Sequence, residues 1–297
     1  MTLASGAWPT FAADRPADDR PAAGGRQRGG SAVVWRAEMT KMAGQWRVRA
    51  AALACAVAPF AVLMAFNVQG ATPSDTLFGQ WIHTSGWAVP MVVLLWSGQW
   101  LLPALTAIVA GDIFSAEDHL GTWKTVLTRS RSRGQVFTGK LLAAASFAVV
   151  MVVIVGGASM LAGLAGGSRP LVGLTGQTVP AGHAAWLAAL SWSTQLPPIL
   201  AFTGLAVLLS VWTRNSVVGI GAPVLLGLVL QLVSMVDMPL ALRHWLINTP
   251  FGAWIGLWTQ PRFVGPVGQG AATSGLWLAV TVAAAWAVFR RRAIGAA

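Results

Sequence analysis

Gly134, Gly139 and Lys140, in the stretch GQVFTGKLLAA (Gly134–Ala144), stand at the spacing of a phosphate-binding loop: Gly, four residues, then Gly-Lys. In such a loop backbone amides cradle phosphate oxygens, the Lys reaches the outer phosphates and a following Ser or Thr hydroxyl holds Mg²⁺. Here the hydroxyl position is Leu141, and TRSRSR rather than an apolar strand precedes Gly134. A nucleotide loop also needs a soluble α/β surround, whereas a long apolar run follows Lys140. The spacing therefore reads as a membrane boundary, with Gly139-Lys140 opening an apolar span and Lys140 at the headgroups. The chain is expected to have no ATPase activity and no cofactor of its own.

Other residues that could carry chemistry are too dispersed to do so. His83, His119, His183 and His244 are scattered and make no H-x-x-x-H pair, which argues against a metal site. Cys55 is the single cysteine, inside an apolar run, and excludes an internal disulfide or a C-x-x-C pair. No Ser/His or paired-Asp set falls at membrane depth, which argues against an intramembrane enzyme. Asp237, at the edge of a span, reads as a hydrated boundary carboxylate. Ser97, Gln99, Gln195 and Gln231 read as polar glue between helices.

Composition sets the frame for these residues. Of 297 residues 55% are hydrophobic and only 10% are charged, and the mean hydropathy is +0.63. Soluble domains carry about 25% charged residues, so the chain lacks the polar surface to cover itself in water. The net charge of +11 is held in short clusters between apolar runs. That distribution fits an anionic lipid surface rather than nucleic acid. Sixteen Trp and no Tyr leave Trp as the interfacial aromatic.

A bilayer core of about 30 Å needs roughly 20 apolar residues of helix. Six runs qualify: 50–67, 88–110, 141–164, 184–212, 216–237 and 274–289. Pro197-Pro198 should kink or split the fourth. The predicted fold is an all-α membrane protein, with residues 1–32 as a disordered tail and 33–297 as the membrane domain. Residues 33–47 place Trp35, Met39, Met42 and Trp46 on one helical face, with Arg36, Glu38 and Lys41 on others. That pattern predicts an amphipathic helix at the membrane surface. The loop 238–273 contains LRHWLINTPFGAWIGLW (Leu242–Trp258), too apolar for a soluble loop, which predicts short re-entrant helices buried against protein.

Basic residues orient the spans. Arg15, Arg20, Arg26, Arg28, Arg36, Lys41, Arg47 and Arg49 precede the first, and Lys124, Arg129, Arg131, Arg133 and Lys140 lie between the second and third. Arg214 lies between the fourth and fifth, and Arg290, Arg291 and Arg292 follow the sixth. Only Arg169, Arg243 and Arg262 fall in the opposite loops. Both termini are therefore expected in the cytoplasm of a multi-pass inner-membrane protein.

The segment between the second and third runs carries most of the remaining information. Ile113, Ala116, Leu120, Trp123 and Leu127 form an apolar stripe, and Glu117, Asp118, Thr122, Lys124 and Thr125 occupy other faces. With Asp112 as N-cap, this predicts a surface helix too charged to span and available to a partner. An anchor, sensor or assembly subunit that docks a partner without transporting anything would use the same helix.

The pattern E…GT…L…R…GK after the second of six spans resembles the membrane subunits of type 2 ABC exporters. Glu117, Gly121, Thr122, Leu127, Ser132, Arg133, Gly139 and Lys140 stand at matching positions, and Ser130 replaces that family's usual Pro. The AEMTK stretch, through Glu38 and Lys41, resembles its N-terminal interfacial helix. The resemblance implies a permease that works as two copies, homodimeric or heterodimeric, with separate ATP-binding subunits that hold ATP and Mg. It implies a coupling helix whose Glu117, Gly121, Thr122, Lys124 and Leu127 meet that subunit. Arg129, Arg131 and Arg133 would pair with acidic groups or lipid phosphates. The low charge of the spans favours an amphiphilic cargo such as a lipid, drug or peptide.

Overall fold

The computed structural model describes residues 30–70, 76–121, 132–234, 236–237 and 239–291. The expected tail up to residue 29 and Thr122, Lys124, Leu127, Arg129 and Arg131 lie outside the described residues.

Helix α1 (Gly30–Gly44) begins three residues before the expected boundary and ends where Gln45 turns extended, at φ −77° and ψ 124°. Its inward face carries Val34, Trp35, Glu38, Met39 and Met42. Trp46 departs from the expected stripe: it opens α2 (Trp46–Gln69) and is 78% exposed. The extended residue between the helices resets their phase, so a periodicity carried through residue 45 fails. Gly70, at φ 63°, closes α2 by donating to Phe66 O.

The second apolar run folds as α3 (Ala88–Trp96), a single π turn (Ser97–Leu101) and α4 (Leu102–Ala110). Pro103 cannot donate to Gln99, and the widened turn resolves this, with Leu102 N–H reaching back five residues to Ser97 O. The short helix α5 (Ser115–Leu120) follows.

Helix α6 (Arg133–Ala165) is much longer than the expected 141–164 span. Ser132 and Gln135 form a reciprocal capping box that starts it two turns earlier. Packing against α1 shelters those polar first turns. A Cβ on Gly139 would lie 2.6 Å from the Val34 side chain, so glycine is what lets α1 cross α6 so closely.

A small antiparallel hairpin, β1 (Leu171–Val172) with β2 (Thr178–Val179), follows α6. The fourth run splits into α7 (Ala181–Ser193) and α8 (Leu196–Thr213), as Pro197-Pro198 requires. The Ser193 and Thr194 carbonyls lose their helical donors there. This break meets the π turn of the second run: a Cβ on Gly98 would lie 2.7 Å from Gln195 Oε1. Two helices are thus interrupted at one level of the bundle.

Helix α9 (Ser216–Ser234) precedes the greasy loop, which folds as α10 (Leu240–Arg243) and a 3₁₀ segment (Thr249–Trp258). Phe251, Trp254 and Trp258 of the 3₁₀ segment are buried within the protein, whereas Trp245 before it is exposed. Trp258 is fully buried and donates from Nε1 to Ser191 Oγ at 3.0 Å, and Phe78 packs edge-on to it at 5.1 Å. Helix α11 (Gly265–Arg291) starts nine residues before the expected sixth span and lies along α8. At their contact a Cβ on Gly204 would lie 2.6 Å from Thr281 Oγ1.

Among the described residues five helical stretches are long and apolar enough to cross a membrane: α2, α6, α7 with α8, α9 and α11. The α3–π–α4 run is interrupted and falls outside that set. It nevertheless extends from Gly86, against Gly167 at the end of α6, to Gly111, against Gly219 near the start of α9.

A buried ion-pair cluster joins three segments

At one end of the bundle the start of α6 meets α1 and α5, and Lys140 lies at the junction. Its side chain is fully buried. Nζ donates to Glu38 Oε1 at 2.6 Å, to Ile113 O at 2.9 Å and to Glu117 Oε1 at 3.2 Å. All three ammonium protons therefore have an acceptor, as a buried ammonium requires. The Phe114 ring lies 5.9 Å from Nζ, within cation–π range. The Lys140 side chain is therefore enclosed by protein rather than open to its surroundings: α1 and α5 close over it. No local pattern signals this, because its partners lie 102 and 23 residues away in the chain.

Glu117 is also turned inward. It is 5% exposed, and its Oε1 accepts a second bond, from Lys41 Nζ at 3.0 Å. The Lys41 pKa is raised. Partial burial pulls it down, but the hydrogen bond to Glu117 and the charges of Glu38, Glu117 and Asp112 outweigh that pull. Glu38, Lys41, Glu117 and Lys140 thus form an alternating set with no net charge. The face of α5 left open to a partner carries His119 and Gly121, both exposed.

Beyond this set, Arg47 Nη2 lies 3.6 Å from Asp112 Oδ2 and ties the start of α2 to the turn before α5. Asp112 is not the N-cap of α5. Phe114 holds that position, because residues 111–114 form a turn first and Ser115 Oγ bonds back to Gly111 O at 2.9 Å. Nor does α5 extend through Leu127 as one helix. Gly121 adopts φ 63° and ends it, donating to Asp118 O and Glu117 O. A Cβ at Gly121 would meet nothing within 4 Å. Gly121→Ala is therefore expected to cost only the left-handed backbone strain, about 1–2 kcal/mol, read as a small drop in melting temperature.

The other side of α5 is fixed to the α8–α9 corner. Ser210 Oγ accepts from Ser115 N–H at 3.1 Å, and Ser115 Oγ lies 3.0 Å from Ser216 Oγ. Arg133 Nη1 donates to Arg290 O at 3.1 Å, which brings the end of α11 to the same place. Beneath the charges, Phe114 packs on Phe137 and Phe289 with ring centres 5.6 and 5.5 Å away. Trp35 reaches α6 as well, donating from Nε1 to Ser146 Oγ at 3.0 Å. Glu38, Lys41, Glu117, Gly121, Lys140 and Arg133 are therefore gathered at one end, whereas Trp46 faces outward.

At the phosphate-loop spacing Lys140 is held by carboxylates and Gly139 packs against α1. The arrangement is a joint in which α1, α5 and α6 share one buried ion-pair set. No curated protein matches the sequence. A family profile described as an ABC-2 family transporter protein matches residues 35–234, more than half of the chain and all four residues of the ion-pair set. This multi-pass membrane protein belongs to the ABC-2 transporter family, as a membrane component of an ABC transporter rather than a catalytic subunit.

Proposed function

We propose that the chain is the permease subunit of an ATP-driven exporter of an amphiphilic compound, a lipid, drug or peptide. It works as one of two permease copies, each served by a separate ATP-binding subunit that holds ATP and Mg. The α3–π–α4 run completes six spans, and both termini face the cytoplasm of the inner membrane. Seventeen of the 20 Lys and Arg support that orientation. The ATP-binding subunit grips the exposed face of α5 and the residues after it.

The observation that carries this reading is the burial of Lys140 between Glu38 and Glu117. Through it a push on α5 reaches α1 and the long helix α6 together. Alternating access needs such rigid transmission, because a partner shifts an equilibrium between two packings only through contacts that differ between them. α2 and α9 bury little of their apolar surface within one chain, which leaves them to lipid or to the second copy.

Co-purification in mild detergent tests the docking face. Glu117→Lys is unsuitable, because it would place a third cation in the buried set. His119→Trp and Gly121→Trp add bulk where the surface is open. Each is expected to lower ATPase retention by about tenfold or more with an unchanged elution profile. Unchanged retention in both variants, or ATP turnover by the isolated chain, overturns the reading. In liposomes the complex should move an amphiphile on addition of ATP. A complex that forms but moves nothing would make the chain an anchor.

A further inference from the structure

The first turns of α2 and the last turns of α4 both pack on α6, and between them lies a groove of about 360 Å³. Ala50, Ala51, Leu105, Ile108 and Phe147 make it apolar. Phe147 is buried, and Ile108 is exposed at the edge. Beyond the groove α2 exposes Leu53 and Val57, the kind of surface a spanning helix turns to hydrocarbon. A groove open to hydrocarbon fills with lipid tails, and a tail gains little by exchanging one apolar surface for another. Selection among lipids therefore comes from the polar mouth.

Trp46 and Arg47 line that mouth. The Arg47 side chain is 63% exposed, and its Nη2 stands 3.6 Å from Asp112 Oδ2, beyond hydrogen-bond reach. Most of its five-donor fork is therefore open to a ligand. Trp46 is more exposed still, and its indole N–H is a donor of the kind found at headgroup level. Arg49, exposed on the same turn of α2, is held by its Nε donating to Ala43 O at 2.6 Å. Arg47 is offset by Asp112 and the ion-pair set of the joint is neutral. Among the described residues, exposed Arg36 and Arg49 thus leave the α1–α2 corner positive.

We infer that this groove seats one anionic phospholipid. Its phosphate accepts from Arg47 and the Trp46 indole N–H, in the field of Arg49, and one acyl chain runs over Phe147. A zwitterionic lipid fills the groove equally well but brings a further cation to a corner already in excess of them. The site needs a bilayer and no ATP-binding subunit, so it stands apart from the transport reading.

Native mass spectrometry of the full-length chain tests this, after release from nanodiscs of equal parts dioleoyl phosphatidylglycerol and dioleoyl phosphatidylcholine. One phosphatidylglycerol per chain is expected to survive release, favoured at least about tenfold over phosphatidylcholine. Arg47→Gln/Arg49→Gln should remove most of that preference, at about fivefold for each arginine. Arg290→Gln/Arg291→Gln takes the same charge from the exposed end of α11 and should leave the preference unchanged. Ala50→Trp plugs the groove and should lose the retained lipid with an unchanged elution profile. Glycerol 3-phosphate, a headgroup without tails, should not displace it. Equal retention of the two lipids, equal losses in the two arginine variants, a lipid still held by Ala50→Trp, or displacement by glycerol 3-phosphate overturns the inference. Failed co-purification with an ATPase would leave it standing.

Discussion

Lys140→Met lowers the stability of the purified chain by about 3–5 kcal/mol, the usual cost of stripping one partner from a buried ion pair. Methionine fills the space of the lysine stem, so the loss is electrostatic. Glu38 and Glu117 remain close together with only the half-exposed Lys41 to balance them. The double variant Lys140→Met/Glu38→Gln restores neutrality, leaving Glu117 with Lys41, and should recover much of the loss. Thermal unfolding in detergent measures both. A melting temperature for the single variant within about 2 °C of wild type would show that the joint contributes nothing to stability.

Gly111→Val removes more than the roughly 1–3 kcal/mol typical of overpacking, because backbone blocks the new side chain. A Cβ at Gly111 would lie 2.2 Å from Gly219 O, and one at Gly219 would lie 2.3 Å from Gly111 O. The end of α4 and the start of α9 therefore touch main chain to main chain, and neither can yield without displacing α5. Size-exclusion chromatography should show the monodisperse peak lost. Gly157→Val is the matched control, because a Cβ there meets nothing within 4 Å. Indistinguishable elution of the two variants would refute the close contact.

Much of this architecture can be read from hydrophobic runs alone. Each expected span overlaps a helical stretch, though the fifth overshoots α9, which ends at Ser234, and Pro197-Pro198 marks the break in the fourth because proline removes both donor and space whatever its surroundings. Span ends were less legible. The early start of α6 follows from a capping box and from shelter by α1, and only the first is a local signal. The π turn at Ser97–Leu101 has a local cause in Pro103, yet a proline in an apolar run does not state which distortion absorbs it.

The joint itself was half legible. Glu38, Lys41, Glu117 and Lys140 each stand out as charges beside apolar runs, but their pairing is set by tertiary contact across 23 to 102 residues. Lys140 looked like an interfacial anchor because its neighbours in sequence are those of a membrane boundary. Glu117 looked like a surface acid because helical periodicity cannot reveal that α1 covers it. The hairpin at Leu171–Val179 left no readable signal in so short a loop.

The neutrality of this joint has an electrical consequence. Two ammonium groups and two carboxylates buried together leave no net charge in the set, whereas each uncompensated charge in the bilayer field would be worth about 2.3 kcal/mol per 100 mV. The membrane voltage therefore exerts no net force on this cluster.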